Sequence, residues 1–278
     1  MLTSLAARQI RLRGHNRAVE QAAFDALTQR IVDRVKDDDR VLGLVMLGSA
    51  GNLERRDEWS DHDFFLITRP GEQETFRSYL WWLADEDEVA GAIRETAHGV
   101  QVILNQGHLL EFAVFDPDEI ALARINDRYV VLDKTDITSR IESLAAFTDS
   151  VVHFRPVGES AFLFASHVLI GVSRFHRGET TAARKRLTAI AVPELTSALL
   201  QHHKSLPPDP LDLSRRIEKV LPDEAAAIES ALASTDLSLA GNELLDIAEL
   251  ALSDRDDFPQ ATYDSVRRRL GYAPLLRD

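Results

Sequence analysis

The chain has no cysteine, no basic excess and no long apolar run, and each gap closes off a class of chemistry. Without cysteine there is no disulfide, thiolate zinc site or cysteine nucleophile, and a reducing compartment is expected. Lys plus Arg number 32 against 45 Asp plus Glu, a formal net charge of -13. That argues against a nucleic-acid partner, whose general electrostatic hold needs a basic face to displace counterions. Nothing approaches the ~18 consecutive apolar residues of a membrane span, and MLTSLAARQIRLRGHNRAVEQ at the N-terminus has no apolar core of signal-peptide length. No membrane partner and a cytoplasmic location are therefore expected. Repeats and low-complexity tracts are also missing. What is present is 278 residues, 45% apolar and 28% charged, sufficient for one or two ordinary soluble domains.

Periodicity divides the chain in two. Val19, Ala23, Leu27, Ile31 and Val35 recur at four-residue steps and predict an amphipathic helix from Asn16 to about Val35. Strand-length apolar runs follow at Val41 to Leu47, Phe64 to Ile67, Val100 to Leu104, Leu109 to Phe115 and Arg128 to Asp133. Residues 73 to 90 have helical spacing, with the acidic group at 85 to 88 as a solvated end and Trp81 and Trp82 as core or interface residues. Past Asp136 the pattern is helical throughout, starting at a capping box from Ser139 to Glu142 and continuing through a helix entered at Pro156 and broken at Gly178. The expectation is an α+β chain: a mixed sheet of about five strands with helices over residues 1–136, then an all-helical domain over 137–278.

The chemistry concentrates in VMLGSAGNLERRDEWSDHDFFLIT, Val45 to Thr68. In a strand, side chains two apart share a face, so Asp61 and Asp63 project side by side. Two carboxylates that close repel unless a cation sits between them, and Mg2+ takes carboxylate and phosphate oxygens. Glu111, the one charge in LLEFAVF, is the candidate third ligand, since an unpaired charge in an apolar strand is costly. Three carboxylates suit two ions roughly 3.5–4 Å apart acting on an in-line displacement. Gly48-Ser49 ends the preceding strand, where glycine lets the backbone approach a ligand and the amides and hydroxyl can hold phosphate oxygens.

In combination these features resemble the nucleotidyltransferases related to DNA polymerase beta: an apolar strand, Gly-Ser, an 11-residue spacer from Ala50 to Ser60, and an Asp-x-Asp on the next strand. The resemblance implies that Asp61, Asp63 and Glu111 are catalytic and bind two Mg2+ ions. It also implies that Gly48 and Ser49 bind the triphosphate, and that a nucleoside monophosphate, as from ATP, passes to an acceptor with pyrophosphate leaving. His62 departs from the pattern, which has an aliphatic residue between the aspartates. Its side chain is expected to face inward, away from the metals.

The two-part plan resembles the bacterial antibiotic nucleotidyltransferases that adenylylate lincosamides or aminoglycosides, and SRFHRGETTAARKRL (173 to 187) is similar to a helix-Arg-Gly-acid-helix element of their second domain. This implies a small hydroxylated acceptor, a role in antibiotic resistance, Glu111 doubling as general base, and a homodimer. Two alternatives stay open: transfer to a protein or tRNA, as in toxin-antitoxin relatives, with the acidic balance weighing against tRNA, and a nucleotide-binding module without turnover. Lys134, directly after RYVVLD, is placed to help with phosphates, and Arg174 and Arg177 to reach the nucleotide, although a cation is favoured at a helix C-terminus in any case. His202 and His203 lack carboxylate partners at metal spacing, and His153, His167 and His176 are scattered, so none supports a zinc site.

Overall fold

The structure is a computed structural model that describes residues 21–150, 155–207, 209 and 211–273. Two compact units divide the chain, Met1–Val151 and Val152–Asp278.

The first unit is built on a six-stranded mixed sheet: β1 Val41–Leu47, β2 His62–Thr68, β3 Val89–Arg94, β4 Gly99–Leu104, β5 Leu109–Phe115 and β6 Arg128–Asp133, in the order β3-β4-β5-β2-β1-β6. Only β2 and β5 pair in parallel, and every other neighbour pair is antiparallel. Helix α1, residues 21–35, places Phe24, Leu27, Ile31 and Val35 against Leu44, Met46, Phe64, Leu66, Phe112 and Val114 on one face. The part of the expected helix before residue 21 lies outside the described residues.

The opposite face carries Val45, Ile67 and Phe115, covered by Ile137, Ile141, Leu144 and Ala145 of helix α3, Ile137–Ser150. Alternation along β2 therefore fixes two sets. Phe64 and Leu66 point to α1, while Asp63, Phe65 and Ile67 point the other way.

Three local expectations need correction. The helix expected over 73–90 is only α2, Gln73–Ser78, because Trp82 turns inward after Tyr79, fully buried with its indole N–H on the Phe76 carbonyl, and the chain then extends into edge strand β3. The acidic group at 85 to 88 is a 3-10 turn closed by an Asp85/Glu88 capping box, and both carboxylates pair with α1, through Arg34 and Arg30. Helix α3 starts earlier than Ser139: Asp133 accepts from the amides of Ile137 and Thr138 and from the Thr138 hydroxyl. That hydroxyl, with the amides, holds the Asp133 carboxyl down to about 2. Glu142 is drawn away to Arg128.

The second unit is helical among its described residues: α4 Val157–His176, α5 Thr180–Arg186, α6 Val192–His202, α7 Pro222–Leu232, α8 Leu237–Leu252 and α9 Gln260–Leu270. One wider π turn, Leu187–Ala191, joins α5 to α6. It falls just before Pro193, which has no N–H to close a regular α bond. Phe164, Val168 and Val172 of α4 form the middle of the core with Leu195, Leu199, Leu244, Leu245 and Tyr263. Gly178, at φ +81, ends the α4 turn as expected.

Candidate functional site

The parallel pairing of β2 with β5 sets Asp63 directly opposite Glu111. In a parallel pair, facing residues lie on the same side of the sheet about 5 Å apart, and Asp61, one residue ahead of β2, shares that side. The result is a cluster in which Asp61, Asp63 and Glu111 each offer a carboxylate oxygen within 4.8 Å of the others. Burial raises the Glu111 carboxyl above its ordinary value, Glu95 and Asp61 push it further the same way, and an N–H of Gln101 opposes them. An all-oxygen donor set of accumulated negative charge fits a hard divalent cation.

The turn that follows β1 closes against this cluster. Gly48–Gly51 forms one helical turn, opened by the Gly48 N–H donating to the Asp127 carbonyl at 3.0 Å. Gly48 has φ +54, and a Cβ placed on it would stand 3.0 Å from Asp63 Oδ2. A side chain at 48 is thus disfavoured twice, by backbone conformation and by the carboxylate it would meet. Ser49 follows in the same turn, 7% exposed. The loop to β2 is anchored by Asn52, whose amide donates to Asp127, and by Arg56, which pairs with Asp25, donates to the Ala50 carbonyl and lies 4.1 Å over the Phe24 ring.

Beneath the aspartates, on the α1 face, His62 is fully buried and stacked 3.5 Å from Phe24. Its Nε2 lies 3.0 Å from the Thr28 hydroxyl and its Nδ1 2.6 Å from His108 Nε2. Burial above all, then the neighbouring His108 and Arg56, pushes His62 down to about 3. His62 is the inward-facing, partnered histidine expected of its position. Burial also lowers His108, against the pull of the Asp61 charge.

The structure brings together Gly48, Ser49, Asp61, Asp63 and Glu111. Lys134 it sets elsewhere: β6 runs antiparallel to β1, so Leu47 faces Arg128 while Gly43 faces Asp133. Lys134 is therefore at the far end of β1, about 13 Å away at roughly 3.3 Å per residue, with its ammonium on the Asp38 carbonyl. Arg174 and Arg177 belong to the second unit. Arg174 stands 4.0 Å from Glu179, and the Arg177 amide caps α4 on the Arg174 carbonyl. His203 does have a carboxylate partner, Glu224 at 2.8 Å.

Three neighbours of the cluster, Glu95, Gln101 and His108, escape a reading of the sequence. Gln101 faces Glu111 across β4 and β5 and holds Glu95 at 3.0 Å. The alternation V-Q-V in β4 is the signal that puts Gln101 on the carboxylate face.

No protein-family model matches the chain, and no curated protein matches it. Among solved structures it is similar to a nucleotidyltransferase-like protein from Exiguobacterium sibiricum, at 14% identity and TM-score 0.37 over 86% of this chain and 81% of that one. It is also similar to an aminoglycoside 6-adenyltransferase from Bacillus subtilis, at 14% identity and TM-score 0.28 over 89% and 91%. A third is a CdnE cyclic dinucleotide synthase from Elizabethkingia meningoseptica, at 10% identity and TM-score 0.24 over 91% and 92%. At such identities and TM-scores no substrate or mechanism passes from them to this chain.

Proposed function

We propose that the protein is a Mg2+-dependent nucleotidyltransferase that moves a nucleoside monophosphate from a nucleoside triphosphate such as ATP to a hydroxyl of a small molecule, of the aminoglycoside or lincosamide kind. The observation that carries this is the convergence of Asp61, Asp63 and Glu111 within 4.8 Å beside the Gly48-Ser49 turn. Hard divalent ions held by these carboxylates supply charge neutralisation for phosphate oxygens.

The chain's own groups account for the remaining requirements. Transfer of this kind depends mainly on positioning and charge stabilisation. The Gly48 turn, pinned by Asp127, offers Gly48 and Ser49 amides and the Ser49 hydroxyl to the triphosphate. Glu111, beside Asp61 and Asp63 in the cluster, is the residue proposed to take the proton of the acceptor hydroxyl. That proton leaves as the new phosphoester bond forms and the bond to pyrophosphate breaks. Arg174 and Arg177 are proposed as further nucleotide contacts, and the second unit as the acceptor-binding domain.

Labelled ATP, Mg2+ and a panel of aminoglycosides and lincosamides test the proposal. Labelled acceptor together with pyrophosphate release is expected, and loss of both in Asp63→Ala. A blank panel removes those acceptors alone. Failure of calorimetry to detect either Mg2+ or nucleotide binding, or transfer that survives Asp63→Ala, removes the function.

A further inference from the structure

Glu111 has a different neighbour on each side. Ile93, Gln101, Glu111 and Asp63 face one another in turn across β3, β4, β5 and β2, so their side chains share one side of the sheet. Asp63 continues the carboxylate cluster on one flank of Glu111, and Gln101 takes the other. Where β4 pairs with β5, the Leu104 N–H bonds the His108 carbonyl and the Val114 N–H bonds the His98 carbonyl. Counting by twos from either bond makes Gln101 and Glu111 a non-hydrogen-bonded pair, the kind in which facing side chains come closest.

A fourth carboxylate reaches the same amide. Glu95, the first residue past β3, has its N–H on the Gly99 carbonyl at 3.0 Å, and its Oε2 accepts from Gln101 Nε2 at 3.0 Å. Ionised carboxylates only accept hydrogen bonds, so the NH2 end of the Gln101 side chain, with its two N–H donors, is the end that can serve Glu95 and Glu111 together. An N–H of Gln101 does act on Glu111, drawing its carboxyl down against burial, Glu95 and Asp61. Without the amide, Glu95 and Glu111 would meet as like charges with no donor between them.

We propose that Gln101 is a positioning residue for Glu111: anchored on Glu95, it holds one oxygen of the Glu111 carboxylate and leaves the other turned toward Asp61 and Asp63 for the cation. The inference rests on the reading of Glu111 as a metal ligand. Partners that orient a ligand in this way are worth about 10–100-fold in metal affinity.

Mg2+ titrated calorimetrically into the full chain, at mildly alkaline pH where the carboxylates are ionised, tests the assignment. Gln101→Met keeps the side-chain length and removes both donors, and is expected to lower Mg2+ affinity about tenfold or more at unchanged melting temperature. Gln101→Leu replaces it if that variant does not fold. Glu95→Gln keeps an oxygen for the Gln101 N–H and removes only an exposed, screened charge, so a fall of less than about threefold is expected. In amide-detected NMR of the metal-free chain, Glu111→Gln is expected to move the Gln101 side-chain NH2 signals. The assignment is overturned if a folded Gln101 variant binds Mg2+ as the wild type does, or if those signals stay in place. It is also overturned if Glu95→Gln loses as much affinity as Gln101→Met, which would make Glu95 a ligand in its own right. Mg2+ binding that Asp63→Ala abolishes and Gln101→Met spares strikes this inference alone. Absence of Mg2+ binding by the wild type strikes the carboxylate site, and this inference with it.

Discussion

Gly48 and Asp63 are packed so closely that a methyl group on the glycine would stand 3.0 Å from the Asp63 Oδ2 atom. The contact joins the two halves of the candidate site, the turn after β1 that is proposed to hold phosphate and the carboxylate at the start of β2.

Gly48→Ala is therefore expected to damage function more than folding. The left-handed φ of +54 costs an alanine about 1 kcal/mol, which a unit of this size survives, but the added methyl must displace the carboxylate. Mg2+ affinity by calorimetry is expected to fall about tenfold or more, the range seen when groups supporting metal ligands are disturbed. Wild-type Mg2+ affinity in a folded Gly48→Ala protein would show that the contact has no role in holding the cation.

The crowding of Asp61, Asp63 and Glu111 gives a second expectation, with opposite signs in the presence and absence of metal. Without metal, Glu111 holds its proton to higher pH in the folded chain than in the unfolded one, since its carboxyl is raised above 4.5. Ionising it therefore favours unfolding, and stability is lost as pH rises from about 4.5 through the raised value. Glu111→Gln removes that loss, so thermal melts of the metal-free variant are expected to fall less over this rise than those of the wild type. Adding Mg2+ is expected to raise the wild-type melting temperature by selective binding to the folded state and to leave Asp63→Asn unmoved. Equal responses of the two proteins to Mg2+ would remove the cation from this site.

Lys134 lies at the end of β1 away from the turn proposed to hold phosphate. With its ammonium on the Asp38 carbonyl and its neighbour Asp133 opposite Gly43, Lys134→Ala is expected to keep kcat/KM within about twofold, as suits loss of one surface hydrogen bond. A tenfold or larger fall in kcat/KM with unchanged stability would reinstate it.

The difference between Lys134 and Glu111 shows what the sequence could disclose. Both are single charges near apolar strands. Glu111 interrupts a strand, where a costly charge demands a partner, and alternation fixes its face. Lys134 follows a strand, and its end of the sheet depends on β6 being antiparallel to β1, which no local pattern states. For the same reason the five apolar strands were legible but β3 was not. VAGAIR is an exposed edge of mostly small residues interrupted by Gly91, and the helical spacing of residues 73 to 90 masks its start, since nothing local says that Trp82 turns inward. Gln101 discloses its face through alternation but not its partner, and Glu95 discloses neither, because their proximity to Glu111 arises from the pairing of β4 with β5 and from the turn after β3. The Asp-x-Asp, by contrast, carried its geometry within three residues.

The buried histidine pair gives the last expectation. His62 is fully enclosed, and burial, aided by His108 and Arg56, pushes it down to about 3 from 6.5. The unfolded chain thus takes up a proton near 6.5 that the folded chain refuses until about 3. The stability this group contributes is full above 6.5 and is lost progressively as pH falls toward 3, at up to about 1.4 kcal/mol per pH unit. His62→Phe keeps a ring against Phe24 but takes the His62 partner from His108 and leaves the Thr28 hydroxyl only the Phe24 carbonyl, so at neutral pH it is expected to cost about 1–3 kcal/mol. In urea melts at successively lower pH that deficit is expected to shrink, since the variant has no imidazole there to protonate. A deficit that stays constant from neutral pH to 4.5 would mean that His62 is protonated in the folded chain. His108 is also lowered, by burial against the pull of Asp61, so replacing both histidines is expected to flatten the acid limb further than His62→Phe alone.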